Sequence, residues 1–130
     1  MKKLISTAMA TALAGALLVN AGQAGTKKFT IALIPGLTSD AFYITMHRGA
    51  QAAADALGVD LIFQGPSEWN AVQQVPVLNA IIGRKPDAIL LVATDRTQLI
   101  EPCRKALDQG IPILCLDCAN WEWPLSDRER

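Results

Sequence analysis

The sequence predicts an α/β fold in which a parallel sheet carries flanking helices. Short apolar runs alternate with longer segments of helical periodicity, and this alternation runs through most of the chain. The run DAILLVA is almost continuously apolar, as expected of a strand buried on both faces. Crossovers between successive parallel strands are right-handed. We therefore expect the common strand order 2-1-3-4.

Periodicity and end signals place the individual elements. Ser39 or Asp40 can cap the first helix, and Gly58 can end it in the left-handed conformation. Pro76 lacks an amide donor inside the second helix, so we expect a kink or a later start there. The predicted strands are 29–34, 59–64, 87–93 and 111–117, and the predicted helices are 40–57, 70–82 and 97–109.

Apolar residues at three- and four-residue steps predict the inward faces of two helices. In the first helix these are Phe42, Met46, Ala50, Ala53 and Leu57. In the third helix they are Leu99, Cys103, Ala106 and Leu107.

The two ends of the chain do not share this alternation. Residues 1–24 start with Lys2 and Lys3, continue with an apolar run and close with small residues, which predicts a secretory signal peptide cleaved after Ala24. A retained membrane anchor is the weaker alternative, because the run is short and rich in Ala, Thr and Gly. Residues 25–117 suffice for one small domain. Residues 118–130 show no period, and we interpret them as a tail.

Composition and motifs argue against several classes of function. Twelve basic and twelve acidic residues balance each other, whereas nucleic-acid binding requires a clustered basic face. The chain contains no glycine-rich phosphate loop and no GxSxG turn. His47 is the only histidine, so a hydrolase triad would lack its base, and we expect His47 at the surface or half-buried. We predict a non-enzymatic protein without a cofactor.

The three cysteines are a poor basis for redox or metal chemistry. Cys115 and Cys118 have C-x-x-C spacing, but the first lies in a predicted strand instead of at a helix amino terminus. Cys103 is predicted to face inward, and three cysteines with one distant histidine are a poor zinc set. We expect incidental cysteines or an adventitious disulfide, and no metal site.

The loop after the first strand is the best candidate for ligand binding. Ligands of open parallel sheets lie beyond the carboxyl ends of the strands, where the winding direction reverses. There Phe42 and Tyr43 could stack on apolar C–H patches while Asp40 accepts hydrogen bonds, a combination that suits a sugar. The alternative, left open here, is that Asp40 only caps the helix and Phe42 packs in the core.

Several segments together resemble type I periplasmic sugar-binding proteins of the ribose-binding class, which are the substrate receptors of ABC importers. They are KKFTIALIPGLTSDAFYITMHRGAQAAADALGVDLIF, KPDAILLVATD and GIPILCLD. The resemblance implies the fold of one lobe of such a receptor, a periplasmic location, a sugar ligand and a transporter permease as the link to the membrane. It implies ligand-binding roles for Ser39, Asp40, Phe42, Tyr43, Thr94, Asp95 and Asp117. Cys118 stands where these proteins often have arginine.

The chain departs from this family in length. Members close two lobes around the ligand, whereas this sequence covers most of one lobe, so we expect a truncated amino-terminal lobe with weak or no binding. The alternatives are an exported thiol-redox or flavodoxin-like enzyme, a cytoplasmic regulator domain, or an inactive open-reading-frame remnant.

Overall fold

A computed structural model describes residues 28–117. The predicted signal peptide and the predicted tail lie outside the described residues. Strands and helices alternate as the sequence predicted, and the four strands form one sheet in the order β2-β1-β3-β4. No helix in the described part of the chain is long and apolar enough to cross a membrane. In chain order the elements are β1 (Thr30–Ile34), α1 (Ala41–Leu57), β2 (Asp60–Phe63), α2 (Ala71–Gly83), β3 (Ala88–Leu91), α3 (Ile100–Asp108) and β4 (Ile113–Cys115).

All neighbouring strands are parallel, and their register decides which residues share a face. Ala32 lies beside Ile89, and Ile89 lies beside Ile113. This row and its neighbours pack against α2 and α3 and form the main core, because burial of apolar area drives folding. The core residues are Ala32, Ile34, Leu78, Ile81, Ile82, Ile89, Leu91, Leu99, Cys103, Ala106 and Ile111.

Helix α1 has the predicted ends but a different inward face. Asp40 caps it, and Gly58 ends it with φ 67°. Tyr43 and Ala54 are its buried residues, whereas Phe42 is 58% exposed and Leu57 is 77% exposed. The predicted face is therefore confirmed only in part, because Met46 and Ala50 are half-buried but Tyr43 is buried in place of Phe42. Alanines occur on several sides of this helix, so the periodicity did not define a single apolar stripe.

Helix α2 begins where it was predicted, with Asn70 as its cap, so Pro76 does not delay its start. Helix α3 begins at Ile100, three residues later than predicted. The Asp95 side chain accepts the amides of Thr97 and Gln98, which ties the preceding residues into a turn. The late start also puts Pro102 into the first helical turn, where no amide donor is needed.

The second face of the sheet is only partly covered. Helix α1 packs on the β2 side and leaves an apolar cavity of about 200 Å³ against Ile31, Leu61 and Leu90. Leu90 is half-buried, and Leu114, which lies beside it in β4, is 59% exposed. Burial of β3 on both faces, predicted from its sequence, is therefore complete on one face only.

Candidate ligand-binding site

The carboxyl ends of the strands meet at one edge of the sheet, as the predicted site requires. The amide of Gln64 donates to Leu33 O, and that of Val92 donates to Ile34 O. The amide of Leu116 donates to Leu91 O in the same way. The loops that follow all four strands thus leave the sheet side by side. We call this edge the rim.

In the predicted bend, 35–43, the structure confirms the capping role of Asp40, and its ligand-binding role stays a prediction. Its Oδ1 accepts the amide of Phe42 at 2.7 Å, which caps α1. The side chain is nevertheless exposed, as is the neighbouring Ser39. Phe42 does not pack in the core, so its ring remains available on the rim.

Tyr43 is a buried member of the predicted site, and the charges of two other predicted site residues affect its pKa. Its ring is 6% exposed and meets the Phe42 ring edge-on at 5.1 Å between centroids. Burial raises the pKa of the Tyr43 hydroxyl, and the negative charges of Asp117 and Asp40 raise this pKa further. The hydroxyl is therefore a protonated donor at neutral pH, close to two carboxylates.

Asp117 reaches the rim through an unusual backbone conformation. It follows β4 with φ 55°, in the left-handed region that aspartate tolerates better than most residues. Its side chain is exposed. Asp40 and Asp117 thus lie within electrostatic range of Tyr43, whose ring contacts the exposed Phe42 ring. Carboxylates can accept hydrogen bonds from hydroxyl groups, and an exposed aromatic ring can cover an apolar face.

Thr94 and Asp95 lie in the loop after β3, where their polar groups bond to the protein itself. Thr94 Oγ1 donates to Gln74 Oε1 at 2.7 Å. Asp95 Oδ1 accepts the amides of Thr97 and Gln98, and these hydrogen bonds lower the pKa of Asp95. Both residues therefore shape the rim, and their predicted contact with a ligand stays a prediction.

Gln74 is a residue that sequence reasoning missed. It is fully buried in α2. Its Nε2 donates to Pro35 O at 3.1 Å and to Val92 O at 2.7 Å, and its Oε1 accepts from Thr94 N at 2.8 Å. One side chain thus holds the loops after β1 and β3 together. The available signal was a polar residue one turn before Leu78 on the apolar face of a helix.

Trp69 was also missed, although it lies on the same rim. It precedes the Asn70 cap of α2 and stacks on Tyr43 with centroids 6.3 Å apart and ring planes 27° apart. Its ring is 49% exposed. The loop after β2 was not considered as part of the site, even though the predicted order places β2 beside β1.

The remaining candidates for chemistry in the described part of the chain are His47, Cys103 and Cys115. His47 is half-buried, as expected, and stacks on Phe63 at 3.9 Å. Cys103 is buried and free, and burial raises the pKa of its thiol to about 12, so it is not a thiolate at neutral pH. Cys115 is disulfide-bonded, and Cys118 lies outside the described residues. Residues 28–117 hold no group of His, Cys, Asp and Glu side chains that could bind a metal ion.

Comparison with known proteins gives a consistent result. Residues 31–127 match the family model described as a periplasmic binding protein domain. The chain is 29% identical over 117 residues to the ribose import binding protein RbsB of Escherichia coli K12, covering 90% of this chain and 38% of RbsB. It is 28% identical over 120 residues to the D-ribose/D-allose-binding protein of Pseudomonas aeruginosa, covering 89% of this chain and 38% of that protein. These relatives are binding proteins and not enzymes.

Solved structures have the same fold. An ABC transporter solute-binding protein from Agrobacterium vitis, bound with α-D-tagatopyranose, is 64% identical with a TM-score of 0.66, over 68% of this chain and 30% of that chain. A periplasmic solute-binding protein from Actinobacillus succinogenes with bound D-allose is 34% identical with a TM-score of 0.66, over 69% and 32% of the two chains. The present chain thus spans little more than a third of the length of the curated relatives that it matches.

Proposed function

The chain belongs to the periplasmic binding protein domain family. We propose that it contributes the amino-terminal half of a sugar site in a substrate-binding protein of an ABC importer. The observation that carries this proposal is that two exposed carboxylates, Asp40 and Asp117, lie in loops at the rim together with the exposed ring of Phe42. A sugar offers hydroxyl groups to the carboxylates and C–H patches to the ring.

The proposed ligand is a monosaccharide in ring form. The relatives named above bind ribose or allose, and the solved structures hold tagatose or allose, which supports this class of ligand. The proposed partner is the permease of the importer, and the protein would associate with the membrane only by binding this permease. The proposed location is the periplasm, with residues 1–24 as the export signal and residues 25–117 as the binding lobe.

The 130-residue chain by itself should bind weakly. Within residues 28–117 the side chains of Asp40, Phe42 and Asp117 are exposed, so each hydrogen bond to a sugar competes with water and contributes about 0.5–1.5 kcal/mol. Association costs at least about 4 kcal/mol. A few such bonds leave a small surplus, which corresponds to a dissociation constant of roughly 1 mM or above.

The test compares charge-neutralising variants of equal shape. Asp117→Asn and Asp40→Asn remove the carboxylates, and asparagine keeps the capping ability of position 40. We expect each to weaken D-tagatose or D-allose binding by about five- to tenfold, because hydrogen bonds to charged groups are roughly twice as strong as neutral ones. Saturation-transfer NMR and protein-observed titration both detect millimolar binding.

Asp55→Asn, at the far end of α1, is the matched control and should bind like the unaltered chain. If no sugar of a panel of pentoses and hexoses binds to the unaltered chain, the proposed function is wrong. If the Asp40 and Asp117 variants bind as well as the control, the site lies elsewhere.

A further inference from the structure

Trp69 is fixed in place, although half of its ring is exposed. Gln73 Oε1 accepts the Ser67 amide at 3.1 Å, the Ser67 hydroxyl at 2.9 Å and the Glu68 amide at 3.3 Å. Asn70 Oδ1 in turn accepts the Gln73 amide at 2.8 Å. The first turn of α2 therefore holds the residues on both sides of Trp69, which lowers the entropy that its side chain would lose on contact with a ligand.

The bend after β1 provides the surface on which the indole lies. A Cβ atom added to Gly36 would fall 2.0 Å from Trp69 Cζ3 and 2.5 Å from Cε3. No side chain therefore fits at position 36 while the indole is there. The two loops are also joined directly, since Thr38 N donates to Pro66 O at 3.0 Å. The glycine in the bend serves this close approach, and its φ is not in the left-handed region.

The exposed aromatic surfaces of the rim flank Tyr43. Phe42 meets Tyr43 edge-on, and Trp69 stacks on it with nearly parallel rings. Phe42 is 58% exposed and Trp69 is 49% exposed. Because both exposed rings contact the same Tyr43 ring, they lie in one part of the rim, and exposed apolar patches of this kind mark candidate binding sites. The carboxylates near Tyr43 supply the polar part of the same surface.

We propose that Trp69 is a specificity-determining residue of the rim, whose half-exposed indole stacks on the C–H face of a ring-form sugar and selects such sugars over open-chain polyols. This inference rests on the proposed sugar-binding function. A pyranose ring presents several C–H groups on one flat side, which match the area of an indole. An open-chain polyol also offers hydroxyl groups but has no such flat side, so it can satisfy Asp40 and Asp117 without using Trp69.

The experiment measures binding of D-tagatose and of galactitol, one of the two open-chain alcohols obtained by reducing D-tagatose, through titration of backbone and indole N–H signals in NMR. We expect Trp69→Ala to weaken D-tagatose binding about three- to tenfold and to change galactitol binding less than about twofold. Trp69→Phe should keep most of the D-tagatose affinity. Phe29→Ala removes an aromatic residue of similar exposure before β1, at the opposite end of that strand, and should change neither.

Gly36→Ala supplies an independent variant, because it displaces the indole without removing it. We expect it to reproduce the selective loss of D-tagatose binding, while circular dichroism shows an intact fold. An equal loss for both ligands would assign Trp69 a purely structural role, and unchanged D-tagatose binding in Trp69→Ala would exclude the contact. Either result overturns this inference alone, whereas failure of the unaltered chain to bind any sugar overturns the proposed function as well.

Discussion

At the scale of single residues, one buried side chain below the rim joins two loops through hydrogen bonds. The Gln74 side chain forms four hydrogen bonds, to Pro35 O, to Val92 O and to the amide and hydroxyl groups of Thr94. Every buried side-chain nitrogen and oxygen of residues 28–117 has a hydrogen-bond partner, and Gln74 is the buried polar residue among them. Buried polar groups that are fully paired specify one arrangement of the chain, because any other arrangement leaves some of them unpaired.

Gln74→Glu tests this role with almost no change in shape. A carboxylate cannot donate to Pro35 O or Val92 O, and its charge would be buried against two carbonyl oxygens. We expect the free energy of unfolding at neutral pH to fall by about 2–4 kcal/mol, measured by urea denaturation. Gln51→Glu, on the exposed side of α1, should cost less than about 0.5 kcal/mol. Equal, small effects of both substitutions would contradict the role given to Gln74.

At the scale of the elements, the ends of α1 and the inward face of α3 followed sequence signals, whereas the start of α3 and the inward face of α1 did not. Asp40, Asn70 and Gly58 occupy the cap positions expected of their residue types. End signals are local, since a capping side chain bonds to amides two or three residues away. The phase of α1 depends on which side chain the sheet accepts, and the structure buries Tyr43 instead of Phe42.

Alanine substitutions at two glycines, one inside α1 and one directly after it, should change the free energy of unfolding in opposite directions. Gly58 has φ 67°, so a Cβ atom is strained there, and we expect Gly58→Ala to lower the free energy of unfolding by about 1 kcal/mol. Gly49 lies inside α1 with open space around it, so Gly49→Ala should raise the same quantity by about 0.5–1 kcal/mol. Thermal and urea denaturation of both variants measure the two changes. Stabilisation by alanine at position 58 would show that the helix ends differently.

At the scale of the whole molecule, the described sheet has an exposed apolar edge. Strand β4 is the last strand in the order, and Leu114 points to the face that α1 leaves uncovered. Edge strands with exposed apolar side chains favour association between copies of a chain. The 130-residue chain is therefore expected to associate as its concentration rises.

Leu114→Lys should reduce this association, because a charged side chain on an edge strand opposes pairing with another edge. Sedimentation velocity over a range of concentrations measures the effect. Val72→Lys makes the same kind of change at an exposed position of α2, away from the edge, and should leave association unchanged. If both variants remain as associated as the unaltered chain, the contact does not involve β4.

The sequence by itself determined the order of the elements, the parallel sheet with its 2-1-3-4 order, and both caps of α1. It also predicted a site on the rim that includes Asp40, Phe42, Tyr43 and Asp117, and this site stays a prediction. These features depend on local periodicity, on capping chemistry and on the few ways in which parallel strands can be connected. Only the tertiary structure decided that Tyr43 is buried within range of the charges of Asp40 and Asp117, that Gln74 joins the loops, and that Trp69 lies on Gly36. These contacts join residues from separate loops, and their geometry depends on strand register and helix phase together, which no local pattern in the sequence records.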